Sequence, residues 1–421
     1  MKRKTIQVTI IFFVSTLIQV ISNIVLTRLF GISIEYSHFL AAVTLPTIFV
    51  TVIYGTLNDA LLPLYGEKII VEKEKSEDFF FSQLTSLTLF SILITLILNL
   101  FAPLLMNQFF GNSDLFQSTL VMMFTVLTLA IPFATIVTIL GMRFYAHKQY
   151  ARFPVAQMIG SLTNLILVLL LYKYYGAWGL VYSFVINIAV QILFVLPGKF
   201  KFKIGHIIPT LSLWAPLIIG IMALKSDSLI VRTFSAQLPE GFIVYHNLIS
   251  KLCSLSAGII TIGIQILFLP NIIERLANKD FAKVKEMVNK VKLIAIGLSS
   301  ALVLGIYFVA PFFIKILFVG GKFSISDFNT AITLIPYYLL PVFGWGIISV
   351  FLQPLYALKK HLHVGILILI CFLLAWFVAS TISKDSPTLA ISVGLSILLL
   401  GSSIGSEILW RINFNKLSKN S

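Results

Sequence analysis

Two charged residues, Lys225 and Asp227, fall near the middle of one apolar stretch, 208–232, a third, Arg232, falls one to two turns further out, and a fourth, Lys251, falls within the next, 242–269. A charge inside a membrane span costs about 2.5–3.5 kcal/mol on insertion scales, so each is a candidate for function. Two residues turn about 200° around a helix. Lys225 and Asp227 therefore cannot pair on one helical face, and Lys251 on the neighbouring stretch is the expected partner of Asp227. Two readings stand side by side: an ion pair that lets two helices pack, or a cation site lining a wet cavity. Arg28 closes the first apolar stretch, and Arg232 sits near the end of its own, so both also fit a headgroup role, with the basic tip snorkelling to the interface. Asp59 and Asn58, just before Pro63, read as gating or helix-packing residues. Glu407 reads as a terminal interfacial residue, and His38 and His246 as interfacial hydrogen-bonders.

The elements that must position these groups are set by composition. The chain has 421 residues, 58% of them hydrophobic and 11% charged, with a mean hydropathy of +0.99. Globular proteins carry about 25% charged residues. A surface this poor in polar groups needs lipid as its solvent, which excludes a cytoplasmic enzyme, a disulfide-stapled secreted domain and a disordered tail. Cys253 and Cys371 lie in separate apolar runs and read as small buried thiols, with no metal or disulfide framework. A spanning helix needs about 20 mainly apolar residues. Twelve stretches qualify, near 5–27, 37–64, 81–108, 116–141, 153–172, 177–197, 208–232, 242–269, 288–312, 328–356, 362–381 and 388–410. The first is longer than a signal-peptide core and lacks a small-residue cleavage site, so it reads as a span.

Lys and Arg set the orientation. Connections on the amino-terminal side carry most of the 31 basic residues, among them Lys2, Arg3, Lys4, Lys73, Arg143, Lys148, Arg152, Lys199, Lys201, Lys203, Lys279, Lys283, Lys359, Lys360 and Lys419. This asymmetry predicts both termini in the cytoplasm. The net charge of +15 is thereby topology, not a nucleic-acid footprint. The segment Asn271 to Lys292 alternates acids and bases and is expected to lie as a helix on anionic headgroups. Pro46, Pro63, Pro132, Pro216, Pro270 and Pro341 are expected to kink or end their spans.

The chain also repeats itself. Leu62-Pro63 followed by Glu67-Lys68 returns as Leu269-Pro270 followed by Glu274-Arg275. Tyr145-Ala146-His147-Lys148 returns as Tyr356-Ala357-Leu358-Lys359, and Arg28 has a counterpart in Arg232. All three echoes are offset by roughly half the chain. An even number of spans separates the equivalents, so the halves point the same way, as two six-helix lobes, 1–204 and 205–421. Transporters built from such parallel repeats use the seam between lobes as an alternating-access cavity.

The run Thr27-Arg28-Leu29-Phe30-Gly31, then His38 to Pro46, then Ala60 to Glu67, resembles the opening of the MurJ/MviN lipid flippases. Leu317 to Phe328, continuing to Leu355-Tyr356-Ala357-Leu358-Lys359, resembles the same family further on. The resemblance implies an all-α polytopic fold of the multidrug/oligosaccharidyl-lipid/polysaccharide exporter kind. It also implies movement of an undecaprenyl-pyrophosphate-linked saccharide from the inner to the outer leaflet of the bacterial cytoplasmic membrane. A pyrophosphate must then cross about 30 Å of hydrocarbon, and Arg28, Lys225, Arg232 and Lys251 would supply the counter-charges in a wet cavity. The sequence departs from the family pattern at Ser22, Ser37 and Val50-Thr51, where charged residues are usual, and at Lys251, where an arginine is usual. It also offers twelve spans against the usual fourteen. A polysaccharide-unit flippase of the Wzx kind shares these features.

Asp227 is the candidate for coupling to a proton or sodium, with the membrane potential as the other drive. The eleventh span, His363 to Ser380, holds no Asp or Asn to complete a sodium site. No phosphate-binding loop, H-E-x-x-H or nucleophile constellation is present, so no catalytic residue and no cofactor is assigned. The expected partners are a lipid-linked oligosaccharide and the bilayer, with the chain acting as a monomer. The competing readings are a drug/cation antiporter of the same superfamily and a membrane glycosyltransferase.

Overall fold

The computed structural model describes residues 2–71, 73–111, 118–198 and 200–419; side chains are outside that description at 2–9, 12, 73–74, 259–267, 269–270, 277 and 418–419. Lys199, and the side chains of Lys2, Arg3, Lys4, Lys73, Pro270 and Lys419, thus lie outside the described residues. The described chain is almost wholly helical. Eleven helical segments are long and apolar enough to cross a membrane, and the 36-residue helix Phe242–Ala277 stands in the place of the eighth span. The protein is an all-α, multi-pass membrane protein.

Several spans are two helices joined by a short break. The second comprises Ile34–Ala42 and Thr44–Val71, and the third Lys73–Leu100 and Ala102–Phe110. The fourth comprises Ser118–Leu127 and Ala130–Ala146, and the tenth Ile325–Thr333 and Ile335–Ala357. In each, a proline follows the break by a few residues: Pro46, Pro103, Pro132 and Pro336. Proline has no N–H and its ring displaces the carbonyl four residues back. In the fourth span that carbonyl is Thr128 O, which accepts instead from Ile131 N at 3.0 Å and from Thr95 Oγ1 at 3.4 Å. Pro63, Pro216 and Pro341 sit inside continuous helices. The seventh span breaks at Ser226, between Ile208–Lys225 and Asp227–Ser235. The twelfth passes through a π-helical turn, Ile397–Gly401, between Pro387–Ser396 and Ser402–Lys419.

The chain packs as two compact units, 1–218 and 219–421. In the first, Leu57, Leu61, Tyr65, Phe80, Ile131 and Val137 belong to one buried cluster. The start of the helix Ile208–Lys225 belongs to this unit: Thr210 Oγ1 donates to Gln83 Oε1 at 2.8 Å, and Trp214 Nε1 donates to Thr56 Oγ1 at 2.7 Å. The connection before that helix is extended and strapped along the third span. Gln83 Nε2 donates to His206 O at 3.0 Å, and Gly205 N donates to Ser86 Oγ at 2.9 Å. Lys203 Nζ binds Asp78 at 2.6 Å. In the second unit Phe234, Tyr338, Ile368 and Leu398 are buried. There Gly394 lets two spans approach closely, since a Cβ would stand 3.1 Å from Ala379 Cβ and 3.2 Å from Ile230 Cγ2.

The segment 271–292 does not form a separate helix on the membrane surface. The eighth-span helix runs through it to Ala277, and the ninth-span helix starts at Phe281 and continues for 38 residues. The alternation of charges is the solvated face of two helix ends, while Val284, Val288 and Lys292 are buried. Asp280 caps the ninth-span helix by accepting from Lys283 N at 3.3 Å. Hydrogen bonding from the Lys283 side chain holds its carboxyl below the usual carboxylate range.

Lys148, Lys279 and Lys359 are the non-glycine residues with positive φ among the described residues, at 61°, 56° and 58°. Each closes a helix ending in Ala-x-Lys, at Ala146, Ala277 and Ala357. Each makes the paired bonds of a Schellman cap, for example Lys359 N to Tyr356 O at 2.9 Å and Lys360 N to Leu355 O at 3.0 Å. The left-handed region costs an L-residue roughly 1–2 kcal/mol, while a cation at a helix C-terminus regains about 0.3–1 kcal/mol. Lys359→Gly should therefore match or slightly exceed the parent melting temperature in detergent. Lys359→Val should fall below it by the equivalent of about 1–2 kcal/mol, since β-branching worsens the same strain.

Candidate functional site

The break at Ser226 positions the charges of the seventh span. Lys225 is the last residue of one helix and Asp227 the first of the next. Each sits where the local helix dipole favours its sign, a cation at a carboxyl end and an anion at an amino end. The Asp227 carboxylate is fixed on both oxygens: Ser228 N donates to Oδ1 at 2.6 Å, and Trp345 Nε1 from the tenth span donates to Oδ2 at 3.0 Å. Lys251 is therefore not its hydrogen-bonding partner, contrary to the expectation from sequence. The helix break gives Asp227 local donors, and the tenth span reaches it first.

Arg232 lies one to two turns beyond Asp227 and is buried at 7% exposure. Its Nη2 donates to Asn247 Oδ1 of the eighth span at 3.0 Å, so its guanidinium is engaged within the bundle, not extended to headgroups. Asn247 and Lys251 are four residues apart and share one face of Phe242–Ala277. The positive charges of Arg232 and Lys251 act on each other, and Asp227 feels both Lys225 and Arg232. The second unit thus gathers Lys225, Asp227, Arg232 and Lys251 into one neighbourhood of three cations and one carboxylate. Trp345 and Asn247 complete it. The Asn247/Lys251 spacing signals one helical face, whereas nothing in the sequence links Trp345 to Asp227.

The remaining candidates belong to the first unit. Arg28 is exposed in the last turn of the helix Lys2–Phe30. Ser22 and Ser37 are buried, the latter donating to Ser33 O at 3.1 Å. Asp59 is exposed, and the neighbouring Asn58 has a buried Oδ1 with no partner among the described residues.

His246 makes its hydrogen bond inside the second unit. It is fully buried, with Nδ1 3.0 Å from Tyr338 Oη. One residue earlier, Tyr245 Oη donates to Asp327 Oδ1 at 2.7 Å, and Asp327 also forms a capping box with Ser324. His38 is likewise buried, at 5% exposure. Glu407 lies inside the helix Ser402–Lys419, not at its end. It pairs with Lys292 of the ninth span and accepts from Arg411 Nε at 2.7 Å. Lys292 is almost fully buried, beneath the rings of Phe351 and Trp410 at 5.2 and 5.7 Å. Removing one member of a buried pair leaves the other uncompensated. Glu407→Ala should lower stability by about 3 kcal/mol, read as a fall in melting temperature in detergent. Lys292→Met combined with Glu407→Leu should recover most of that loss.

Residues 26–419 match the sequence model of the family described as lipid II flippase MurJ. A probable lipid II flippase MurJ from Bdellovibrio bacteriovorus is 29% identical over 150 residues, 35% of this chain and 28% of that protein. Among solved structures, a lipid II flippase MurJ in an inward closed conformation superposes with a TM-score of 0.77 at 18% identity, covering 99% of this chain and 90% of that one. An inward-facing multidrug resistance MATE family transporter of the MOP superfamily gives 0.75 at 14% identity, covering 97% and 96%. At these identities the structural likeness shows a shared fold alone.

Proposed function

Because the chain belongs to the lipid II flippase MurJ family, whose members are transporters and not enzymes, we propose that it moves a polyprenyl-pyrophosphate-linked saccharide from the inner to the outer leaflet of the bacterial cytoplasmic membrane. The observation that carries this reading is the cation excess around Arg232. Lys225, Arg232 and Lys251 outnumber Asp227 in a neighbourhood where charge is costly. An anion relieves that repulsion. A pyrophosphate carries about two negative charges and accepts planar guanidinium and ammonium donors readily. The same excess repels a cationic drug, which disfavours the antiporter reading despite the shared fold. With both termini in the cytoplasm, as the positive-inside asymmetry supports, Arg232 and Asn247 lie toward the outer end of their spans and Arg28 toward the outer end of the first. Asp227, held by Trp345, is the residue through which a proton or sodium would couple to transport, and Asp59 and Asn58 are the candidates for gating.

Depleting the protein in its host and profiling undecaprenyl-pyrophosphate lipids by mass spectrometry tests the cargo. Accumulation of lipid II is the expected result. Accumulation of another lipid-linked oligosaccharide would redirect the cargo to the Wzx kind, and no accumulation in a strain shown to lack a second flippase would overturn the reading. In complementation of the depleted strain, Lys225→Ala and Lys251→Ala should each abolish flipping while inserting at parental levels. Full rescue by both would remove the site.

A further inference from the structure

The first unit carries two adjoining cavities that the transport reading does not use. At the end bearing the amino terminus, the turn between the fourth and fifth spans and the residues after the sixth enclose a cavity of about 440 Å³. Arg143, Phe144, His147, Gln149 and Arg152 line it, and 195–198 form its remaining wall. Arg143 donates to Glu77 Oε1 at 2.8 Å. Arg152 stacks on Phe144, 4.3 Å from the ring centroid, and donates through Nε to Phe194 O at 3.4 Å. Its two Nη groups have no protein acceptor among the described residues. Two guanidiniums against one carboxylate leave the cavity cationic.

Leu196 and Pro197 are shared with a second cavity of about 170 Å³ between the third and fourth spans. Its lining is apolar apart from Thr85 and Thr88, with Leu84, Leu89, Ile136, Leu140, Phe200 and Phe202 supplying most of the wall. The Thr88 hydroxyl is buried with no partner among the described residues. The strapped connection that supplies Phe200 and Phe202 is held by Asp78, Gln83 and Ser86, so the slot is a standing feature. A cationic chamber adjoining an apolar slot that holds one unpartnered hydroxyl matches a phosphate joined to an acyl chain.

We propose that the two cavities together bind one anionic phospholipid of the surrounding leaflet, its phosphate on Arg152 and Arg143 and one acyl chain in the slot. Guanidinium recognises phosphate by paired charge-assisted hydrogen bonds, and the slot removes chain methylenes from their surroundings at a site fixed by the fold. The site is separate from the charges around Arg232, so its test and that of the transport reading fail independently.

Native mass spectrometry of the delipidated full chain, titrated with phosphatidylglycerol or phosphatidylcholine, reads the binding directly. Phosphatidylglycerol adducts should dominate, and Arg152→Ala should weaken them about tenfold. Arg152→Lys, which keeps the charge and loses the fork, should fall between. Phe202→Ala, at an exposed wall residue, should also weaken phosphatidylglycerol binding. Millimolar inorganic phosphate should not displace the lipid. Equal retention of both lipids, or full phosphatidylglycerol retention by folded Arg152→Ala, would overturn the proposal. Displacement by inorganic phosphate alone would show a free-anion pocket and overturn the lipid assignment.

Discussion

Hydrocarbon offers no hydrogen bonds, so every backbone N–H and C=O at membrane depth needs a partner within the protein. The all-helical architecture answers this constraint, and so do the places where helices stop. The break at Thr128 is tolerated because Ile131 N and the Thr95 hydroxyl capture the carbonyl that Pro132 frees. Outside the spans, the extended connection after the sixth is held by the third span through Gln83, Thr85 and Ser86. Hydroxyls elsewhere follow the same rule by bonding one turn back, as Thr56 to Val52 O at 2.6 Å and Ser406 to Ser402 O at 2.6 Å. At Thr128 the break is thus placed where a neighbouring side chain makes good the loss.

Charges obey a stricter version of the constraint, because their desolvation costs more than that of an amide. The structure offers two solutions. At Lys292, Glu407 and Arg411 the charges are paired, and buried Lys292 is covered by the rings of Phe351 and Trp410, which ties the ninth, tenth and twelfth spans together without requiring anything from outside. Around Arg232 the signs do not balance. Asp227 accepts from an indole and a backbone amide, and Arg232 donates to Asn247. A bundle that needed only stability would gain more from apolar residues of the same size. On the proposed reading, the excess of cations over carboxylates in this neighbourhood is what an incoming anion would meet.

The spans were legible from hydropathy because burial in lipid is written into long apolar runs, and of the prolines singled out in the sequence Pro46 and Pro132 stand just after breaks, while Pro63, Pro216 and Pro341 sit inside continuous helices. The break at Ser226 carries no such mark: Pro216 lies ten residues earlier in a helix that continues past it. Without that break, Lys225 and Asp227 appear as two positions on one helix and Asp227 appears to need Lys251. Its donors are the adjacent Ser228 N and Trp345 of the tenth span, 118 residues away, and no local spacing encodes a contact of that range. Lys292 and Glu407 were misread for a related reason. Each stands near a span end in sequence, but the helices run on past the apolar run, and so the pair is buried between them.

The Tyr-Ala-x-Lys echo has a physical origin that bears on how far it supports duplication. At Tyr145 to Lys148 and again at Tyr356 to Lys359 it is a helix ending in a left-handed lysine with Schellman bonds. The same geometry appears at Leu276 to Lys279, where no echo was read. Three hairpins on the terminus-bearing side therefore share one solution, and the reason is electrostatic as well as geometric. Glycine relieves the strain of this position, but only a cation also complements the exposed carbonyls and reaches anionic headgroups. The lysine then reflects what a tight turn at a membrane surface requires and could arise independently in each hairpin. The tyrosine two residues before the cap is under no such demand, and it is the part of the echo that the third turn lacks. The residue that chemistry leaves free, rather than the one it dictates, is the better witness to a common origin of the two halves.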